Sequence, residues 1–450
     1  MRTTTPIAAL AALAVTLTAC GENDNATGSS ASSPSVPTTT AAATTADPPE
    51  TPSTTVTSST EPINPPVTSP PSTSGTVEST DATTVPAGDL AADIEAVLAD
   101  ALAPGAIGWT ANGVEVPPTA IVAAVRIPGR DDVLVAVGEN VDGSPAEADA
   151  PFSAATLTTS LVRTVALQLV DEGVLDPTAT VDEWVPTLPN ADRVTVQMLF
   201  EYATGWGESP LPTDPVLSDL ERAWTLREVV ELRATTVTAL ADPGTSSTAG
   251  LFIDTLLGLI VEEVTGRSLA ELVHDRVAVP AGLDDTALGD AEDAIPERFR
   301  HGRLNINGAA VDTSAVAPVA YITYYQATSS VASTPTDLLD LLDAWHSGQF
   351  FVTDRTAAPD RFIPDPAGNP NTRVGVSVPF NGYCPCTEAD DGIEVSSIGR
   401  TPANPFSRNL LLRYADGISV VMNVNTGVAT DGAELVAVVD ELHDIALAAR

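Results

Sequence analysis

Two groups of predicted strands, one towards each end of the chain, enclose a long helical stretch, and this order constrains the fold most. Apolar residues recur at helical spacing over 89–102, and strand-like runs at 121–127 and 132–137 flank a Pro-Gly turn, which predicts a hairpin. A helix at 156–172 opens a mostly helical stretch that ends near 279. Four strands and a last helix are predicted at 373–378, 393–398, 410–414, 418–424 and 432–449. The sequence therefore predicts a mixed α/β (α+β) protein.

Two helix starts within this region have the spacing of a capping box, in which a hydroxyl and an acid three residues later bond each other's backbone N–H. They are Ser268 with Glu271, and Thr334 with Asp337. A helix is therefore predicted to begin at each of these two hydroxyl residues.

Residues 1–20 have the pattern of a bacterial lipoprotein signal. Arg2 precedes an apolar run at 7–15, which is too short to cross a bilayer but suits a signal peptide. The run ends in Leu-Thr-Ala-Cys, which predicts cleavage before Cys20 and attachment of lipid to that cysteine. The mature chain is then expected to be lipid-anchored at the outer, extracytoplasmic face of a bacterial cell membrane. An ordinary secretory signal is the alternative interpretation.

Residues 21–88 are rich in Thr, Ser and Pro and contain neither an aromatic residue nor an arginine. Such a segment buries too little apolar surface to offset the entropy lost on ordering, so the sequence predicts a disordered linker. Proline favours extended conformations, and the linker is therefore expected to act as a tether between the membrane and one folded domain at 89–450.

The charge of the chain excludes several kinds of partner. The formal net charge is −40, with 60 acidic residues against 20 basic ones. Nucleic acid and anionic lipid surfaces both require basic patches, so neither is an expected partner. The acidic residues form no recognisable Ca²⁺ loop, and the histidines at 274, 301, 346 and 443 lack metal-ligand spacing. No metal and no cofactor are predicted.

The run at 152–206 carries the most specific motif. It reads FSAATLTTSLVRTVALQLVDEGVLDPTATVDEWVPTLPNADRVTVQMLFEYATGW. It resembles the β-lactamase-related family, which includes class C β-lactamases, DD-peptidases and esterases with the penicillin-binding fold. In that family, phenylalanine and three residues precede Ser-x-x-Lys, and an apolar helix ending in LVEEGKL comes next. On this pattern Thr156 stands at the position of the nucleophilic serine and Thr159 at that of the lysine.

The resemblance implies an antiparallel sheet flanked by helices, together with a mostly helical subdomain at roughly 165–320. It also aligns PGTSSTAGLFIDTLLG, at 243–258, with the family's PGTxFxYSNxGYxLLG. Ala249 then stands where the family has its site tyrosine, and Leu251 where it has asparagine. Neither side chain transfers protons or holds a substrate amide.

The third family signature is His-Thr-Gly or Lys-Thr-Gly on an edge strand, where the cation engages a substrate carboxylate. It aligns with Ser397-Ile398-Gly399, so this cation is also replaced. Arg400 comes directly after Gly399, and it either restores a positive charge and binds a ligand at the mouth of the cleft or is a solvated surface residue.

The absence of lysine prevents any realignment from restoring the Ser-x-x-Lys pair, because all twenty basic residues are arginine. Arginine stays protonated and cannot accept a proton from a nucleophile. Ser160 and Arg163 form a Ser-x-x-Arg one turn along the helix, where arginine would orient an anion.

Three functions are compatible with these substitutions. The first is a non-catalytic cell-envelope domain that binds a wall peptide or a small molecule in its cleft. The second is a residual hydrolase of the esterase, peptidase or β-lactamase type, with Thr156 as nucleophile and Tyr202, Tyr324 or Glu201 as base. The third is a structural or adhesive wall protein.

Cys384 and Cys386 are the two remaining cysteines of the chain. Outside the cell, a disulfide between them is the expected state, although so small a ring is strained.

Overall fold

The computed structural model describes residues 87–450 apart from 108–109, 112–113, 116, 141–142, 210, 212–214, 220, 246–249, 291–302, 307–308, 313–318, 353–361, 365–371, 376–378, 380, 384–396, 405–406 and 427–431. The predicted signal segment with Cys20, the linker, and the cysteines at 384 and 386 lie outside the described residues. The predictions made for them stay predictions.

The described residues form twelve α-helices. These are α1 (Ala87–Leu102), α2 (Leu157–Asp171), α3 (Val196–Phe200), α4 (Pro215–Ser218), α5 (Leu226–Ala234), α6 (Leu251–Thr265), α7 (Leu269–Val273), α8 (Val279–Ala281), α9 (Val319–Tyr324), α10 (Gln326–Ser329), α11 (Pro335–His346) and α12 (Gly432–Ala448). A 3₁₀ turn at Val181–Glu183 and a π-helical segment at His274–Ala278 complete them. Of these helices, none combines the length and apolar character that crossing a bilayer requires.

Nine of the described strands form one antiparallel sheet, and the others form short separate ladders. The short ladders use β1 (Thr110–Ala111), β2 (Val114–Glu115), β5 (Phe152–Ser153), β6 (Trp206–Glu208), β7 (Val237–Ala239), β8 (Ala287–Leu288), β9 (Arg303–Ile306), β10 (Ala309–Asp312) and β11 (Val331–Ser333). The sheet uses β3 (Ala120–Arg126), β4 (Val133–Gly138), β12 (Phe362–Pro364), β13 (Thr372–Gly375), β14 (Asn381–Tyr383), β15 (Ser397–Arg400), β16 (Ala403–Asn404), β17 (Ser407–Tyr414) and β18 (Ser419–Val424).

The sheet joins the two ends of the domain. Its strand order is β12-β13-β14-β15-β17-β18-β3-β4, and β16 pairs with β17 beside this path. The predicted hairpin β3–β4 is confirmed, and β18 pairs with β3 along its length, with Val421 opposite Ala124. Residues far apart in sequence therefore lie on adjacent central strands.

The central strands are buried on both faces, and alternate residues face different cores. In β18, Val420 and Met422 pack in one core with α1 and α12, whereas Val421 packs in the other with α2, α6 and α11. In β17, Leu410 and Leu412 likewise pack in the core with α1 and α12, and Leu411 packs in the core with α2, α6 and α11. This alternation results from the period of two along a strand. The predicted antiparallel sheet between helices is confirmed.

The two predicted capping boxes have different outcomes. Ser268 and Glu271 form the reciprocal pair at the start of α7. At α11 the Thr334 hydroxyl accepts from the Asp337 N–H, but the reciprocal bond to the Thr334 backbone N–H is not formed, and the Asp337 carboxylate accepts from Asp285 N and Thr286 Oγ1. Both predicted helix starts are correct. The Asp337 carboxylate binds the loop at Asp285 and Thr286.

Strand β15, expected at the edge of the sheet, lies in its interior. On one side it pairs with β14, where Asn381 lies opposite Gly399. On the other side it pairs with β17, where Leu412 lies opposite Gly399. The added strands β12 to β14 cover the side that was expected to be open. A ligand that pairs along all of β15 is therefore excluded, although the β14 pairing ends at Gly399.

Gly399 is required by the close approach of β15 to β17. A Cβ atom at this position would lie 1.7 Å from the Leu411 carbonyl oxygen, so the two strands would have to move apart. Gly250 provides a control, because a Cβ there meets nothing within 4 Å and its φ is −167°.

We expect Gly399→Ala to lower the free energy of unfolding by more than about 2 kcal/mol, because overpacking against backbone cannot relax cheaply. Gly250→Ala should lower it by at most about 1 kcal/mol, because alanine is a poorer N-cap residue than glycine but meets no other atom here. Urea unfolding of both variants measures the difference. Equal stability of the two would contradict the close strand approach.

Candidate functional site

The turn that leads into α2 has a backbone conformation that residues with side chains rarely adopt. Ala155, fully buried, has a φ of +52°, in the left-handed region that non-glycine residues seldom occupy. Such a residue costs on the order of 1–3 kcal/mol and persists only where its surroundings fix it. It directly precedes Thr156, the N-cap of α2, whose partly exposed side chain makes no capping hydrogen bond.

A network of buried amide and hydroxyl groups holds this turn. The Ser153 carbonyl accepts from Ser407 Oγ at 2.9 Å and from Asn409 Nδ2 at 3.1 Å. Asn423 Nδ2 donates to Ser407 Oγ at 2.8 Å and to Asn409 Oδ1 at 2.7 Å. Strands β17 and β18 therefore fix the chain just before Ala155.

The sheet also supplies a positive charge at the first turn of α2. Arg400 Nη2 donates to Thr159 Oγ1 at 3.2 Å, and Thr159 Oγ1 donates to the Thr156 carbonyl at 2.9 Å. Arg400 is only 8 % exposed, which excludes the interpretation that it is a solvated surface residue. A guanidinium from β15 therefore reaches the position that the resemblance assigns to an amine on α2.

The backbone beyond β15 contacts the other hydroxyl of this turn. Ala403 N donates to Thr156 Oγ1 at 3.3 Å. The contact stabilises negative charge on the oxygen but removes no proton from it. Among the described residues, Thr156 Oγ1 has no carboxylate, imidazole, amine or phenol oxygen within hydrogen-bond distance. The arrangement can hold a ligand acceptor or anion but has no evident general base.

Below this turn, the helix is joined to α6 by a buried ion pair that the sequence analysis did not predict. Arg163 Nε lies 2.8 Å from Asp254 Oδ1, with both side chains at most 5 % exposed. The other oxygen of Asp254 accepts from the Tyr202 hydroxyl at 3.3 Å, and the Arg163 guanidinium lies 4.2 Å from the Tyr202 ring centre. The Arg163 guanidinium also donates to the carbonyls of Leu199 and Phe200.

A sequence signal for this pair existed. Each of two strongly apolar helices contains one charged residue within its buried stretch, Arg163 in α2 and Asp254 in α6. Buried charges are normally paired, so opposite charges in two buried helices favour a contact between them. Arg163 was expected to orient an anion, and the anion that it contacts is the Asp254 carboxylate of the same chain.

The remaining predicted site residues do not converge on Thr156 within the described part of the chain. Ser397 is buried in β15, and Leu251 begins α6 partly buried. Tyr324 packs edge-on against Trp224 at 5.4 Å, and Glu201 accepts from Gln197. Ala249 lies outside the described residues, so its role stays a prediction.

Metal chemistry has no visible site in the described ranges. No group of three His, Cys, Asp or Glu side chains comes together there as metal ligands would. Of the histidines that the structure describes, His274 contacts Asp275, and His443 contacts Asp416 and stacks on Tyr414.

Comparison with known proteins gives a family match and many structural neighbours. The family model for β-lactamase matches residues 118–432. Esterase EstB from Burkholderia gladioli is 29% identical over 198 residues, which are 40% of this chain and 49% of the esterase, so the chain spans about half the length of this relative.

Solved structures with the same fold have lower identity. The D-amino acid amidase from Ochrobactrum anthropi SV3, complexed with D-phenylalanine, superimposes with a TM-score of 0.64 at 22% identity and covers 80% of this chain and 98% of its own. The β-lactamase/D-alanine carboxypeptidase from Pseudomonas syringae gives 0.56 at 14% identity and covers 79% and 99%. At these identities the likeness concerns the fold.

The contact of Arg400 with Thr159 predicts a charge-specific effect on stability. We expect Thr159→Lys to lower the free energy of unfolding by about 2 kcal/mol more than Thr159→Met, a control of similar length, because a second cation would face the guanidinium. In an Arg400→Gln background this excess should decrease but not vanish, because the repulsion is lost while burial of the ammonium at a position only 2 % exposed still has a cost. Urea unfolding at neutral pH measures all four proteins, and an excess that is unchanged without Arg400 would contradict the proximity.

Proposed function

Because the chain belongs to the β-lactamase family, we propose that it is a cell-envelope protein that uses a serine-hydrolase-like domain to bind a ligand without hydrolysing it. The observation that carries this proposal is the contact between Arg400 and Thr159. At the position aligned with the family's lysine, a neutral hydroxyl accepts a hydrogen bond from a permanent cation.

The chemistry of this contact opposes nucleophile activation. A hydroxyl nucleophile needs an adjacent base that is neutral or anionic, and lysine serves when its pKa is lowered. The Thr159 hydroxyl is too weak a base, and the Arg400 guanidinium remains protonated at any working pH. In an unrelated serine hydrolase, loss of nucleophile or base costs about 10⁶ in turnover.

The same groups favour binding of an anionic or acceptor-rich ligand. The N-terminus of α2 carries the positive end of the helix dipole, and Arg400 adds a full positive charge behind it. The partly exposed Thr156 hydroxyl can donate to a ligand. A wall peptide or a small molecule with a carboxylate is therefore the class of ligand that we propose for the cleft.

A residual hydrolase with Thr156 as nucleophile is the second candidate function. It is supported by the activities that the names of the esterase and amidase relatives state. The hydrogen bond from Ala403 N to Thr156 Oγ1 would stabilise an alkoxide modestly, as would the end of α2. This candidate requires a base from a residue that does not contact Thr156 in the described chain.

Acylation distinguishes the two candidates. We expect incubation with benzylpenicillin to leave the intact mass of the folded protein unchanged. Hydrolysis of p-nitrophenyl acetate should equal that of the Thr156→Ala variant, because no base activates the hydroxyl. Mass spectrometry and absorbance measure these outcomes. An adduct at Thr156, or turnover that Thr156→Ala abolishes, would establish the hydrolase instead.

We further propose that lipid on Cys20 anchors the protein to the outer face of the membrane. The motif that ends at Cys20 supports this location. Cys20→Ser should move the protein from the membrane fraction to the soluble extracytoplasmic fraction, with Cys384→Ser as the control that stays bound. Membrane retention of Cys20→Ser would refute lipid anchoring at this residue.

A further inference from the structure

Strand β4 (Val133–Gly138) forms one outer edge of the nine-stranded sheet, and among the described strands it pairs with β3 alone. Six consecutive residues pair one-to-one with β3, so the strand contains no bulge. Three strands separate β4 from β15, which carries Arg400, and at about 4.8 Å between strands the two are roughly 19 Å apart. Any role of this edge is therefore independent of the proposed function.

The outward side of β4 presents backbone groups that have no partner in the described chain. In an antiparallel ladder, the N–H and C=O of alternate residues point to the same side. Glu139 N donates at 2.8 Å to the carbonyl that precedes β3, whereas the Gly138 carbonyl accepts from the return turn at 144–146 on the opposite side. Leu134 and Ala136 are in phase with Gly138, so their N–H and C=O groups point outwards. Both residues are partly exposed, and neither forms a hydrogen bond on this side with the described residues.

The sequence of β4 lacks the features that commonly protect outer strands. Such strands are often short, or contain lysine, proline or a bulge, which hinder pairing with another chain. Residues 133–137 read VLVAV, with no charge and no proline. At the opposite edge of the sheet, β12 has only three residues and ends in Pro364. Of these two outer strands, β4 is therefore the one that can accept a further strand.

Two acidic residues flank β4 and determine which partner it can accept. Asp131 and Glu139 are exposed, and neither carboxylate forms a hydrogen bond or an ion pair within the described chain. If a second copy paired with β4 about a two-fold axis at Val135, Asp131 of each copy would face Glu139 of the other. Like charges opposite each other are destabilising, and each copy already has a net charge of −40. The edge therefore disfavours a second copy and favours a strand with a basic residue at its end.

We propose that β4 accepts an extended segment of a partner polypeptide as an additional antiparallel strand, with a basic residue of that segment opposite Asp131. The segment exchanges backbone hydrogen bonds with Leu134 and Ala136, which supply an N–H and a C=O each. This backbone pairing provides the affinity, whereas the charge of the basic residue selects the partner. The occupant is thus a β-forming segment, rich in β-branched residues, that ends in arginine or lysine.

The length and side-chain pattern of the segment follow from the surroundings of β4. The return turn at 144–146 covers Gly138, so the segment pairs with residues 131–136 and has about six residues. Alternate side chains of the segment lie on the face where Val133 and Val135 pack with α1 and α12, and these positions require apolar side chains.

The test compares acetyl-Thr-Val-Thr-Val-Thr-Arg-amide with the same peptide methylated on the backbone nitrogen of its third residue, by ligand-observed NMR on the purified full chain at pH 7. In the proposed register the third residue lies opposite Leu134 and the arginine opposite Asp131. We expect the parent peptide to bind with a Kd on the order of 1 mM and the methylated peptide at least about tenfold more weakly, because methylation removes a backbone donor. Equal affinity of the two peptides, or no binding of the parent, would overturn the proposal.

Variants at Ala136 assign the binding to this edge. Ala136→Pro should weaken the parent peptide at least about tenfold, because proline removes an outward N–H without removing a hydrogen bond to β3. Ala136→Val is the matched control, since it keeps this N–H, and its affinity should be unchanged. Urea unfolding establishes that both variants are folded before binding is measured. Unchanged binding by Ala136→Pro, or equal loss in Ala136→Val, would overturn the assignment.

A second pair of variants tests the position of the basic residue. Asp131→Asn should weaken the parent peptide about threefold, as loss of one exposed ion pair does. Glu139→Gln is the matched control, because Glu139 is also exposed and flanks the same strand but lies beyond the paired residues. Equal weakening in the two variants would indicate general attraction to an acidic protein, and unchanged binding by Asp131→Asn would exclude the proposed register. Either result would overturn the proposal.

Analytical ultracentrifugation distinguishes a partner strand from a second copy of this chain. We expect the purified full chain to show no association through β4, because Asp131 and Glu139 of two copies would repel each other. Its sedimentation should therefore equal that of Ala136→Pro. A dimer that Ala136→Pro dissociates would assign the edge to a second copy and overturn the proposed partner.

Discussion

Helix α2 is buried along nearly its whole length, and the position of the candidate site at Thr156 depends on how that burial is achieved. It packs against α6, α10 and α7, and twelve of its fifteen residues are buried. A helix with this environment would be expected to be apolar throughout. Its first half instead contains three threonines, a serine and an arginine, and the side chains of all of these except Ser160 have hydrogen-bond partners.

Those partners tie α2 to the rest of the domain. Thr158 Oγ1 donates to the Ala155 carbonyl and accepts from Val331 N, which joins α2 to β11. Thr164 Oγ1 accepts from the indole of Trp345 in α11, and Arg163 pairs with Asp254. A buried ion pair adds little net stability, but loss of one partner leaves an unpaired charge, so these contacts fix the position of α2 strictly. They thereby determine the orientation of Thr156.

The sequence was sufficient for the fold because its signals were local or periodic. The hairpin at 120–138, the helix after Thr156 and the terminal helix each lie within one or two residues of their predicted bounds. The family resemblance then supplied the order in which these elements pack. The interior position of β15 was not predicted, because of the covering strands only β13 was expected, within 373–378, and nothing in the sequence placed it beside β15. Strands β12 and β14 have only three described residues each.

The contacts of the site were harder to predict because they join residues distant in sequence. Arg400 and Thr159 are 241 residues apart, and the choice between a surface and a cleft position for Arg400 depended on how the chain turns after Gly399. Arg163 and Asp254 are 91 residues apart, and each alone resembles a chance polar residue in an apolar helix. The two residues can be recognised as an ion pair only once α2 is known to pack against α6.

The strained turn before Thr156 is a feature of the fold and carries no information about catalysis. Ala155 has a left-handed conformation next to contacts from Ser407 and Asn409 to the Ser153 carbonyl, and these contacts do not involve the side chain at position 156. The turn therefore depends on the sheet and its buried amides. Catalysis depends instead on a proton acceptor near Thr156, and the Arg400 guanidinium, which is linked to Thr156 through Thr159, carries its proton permanently.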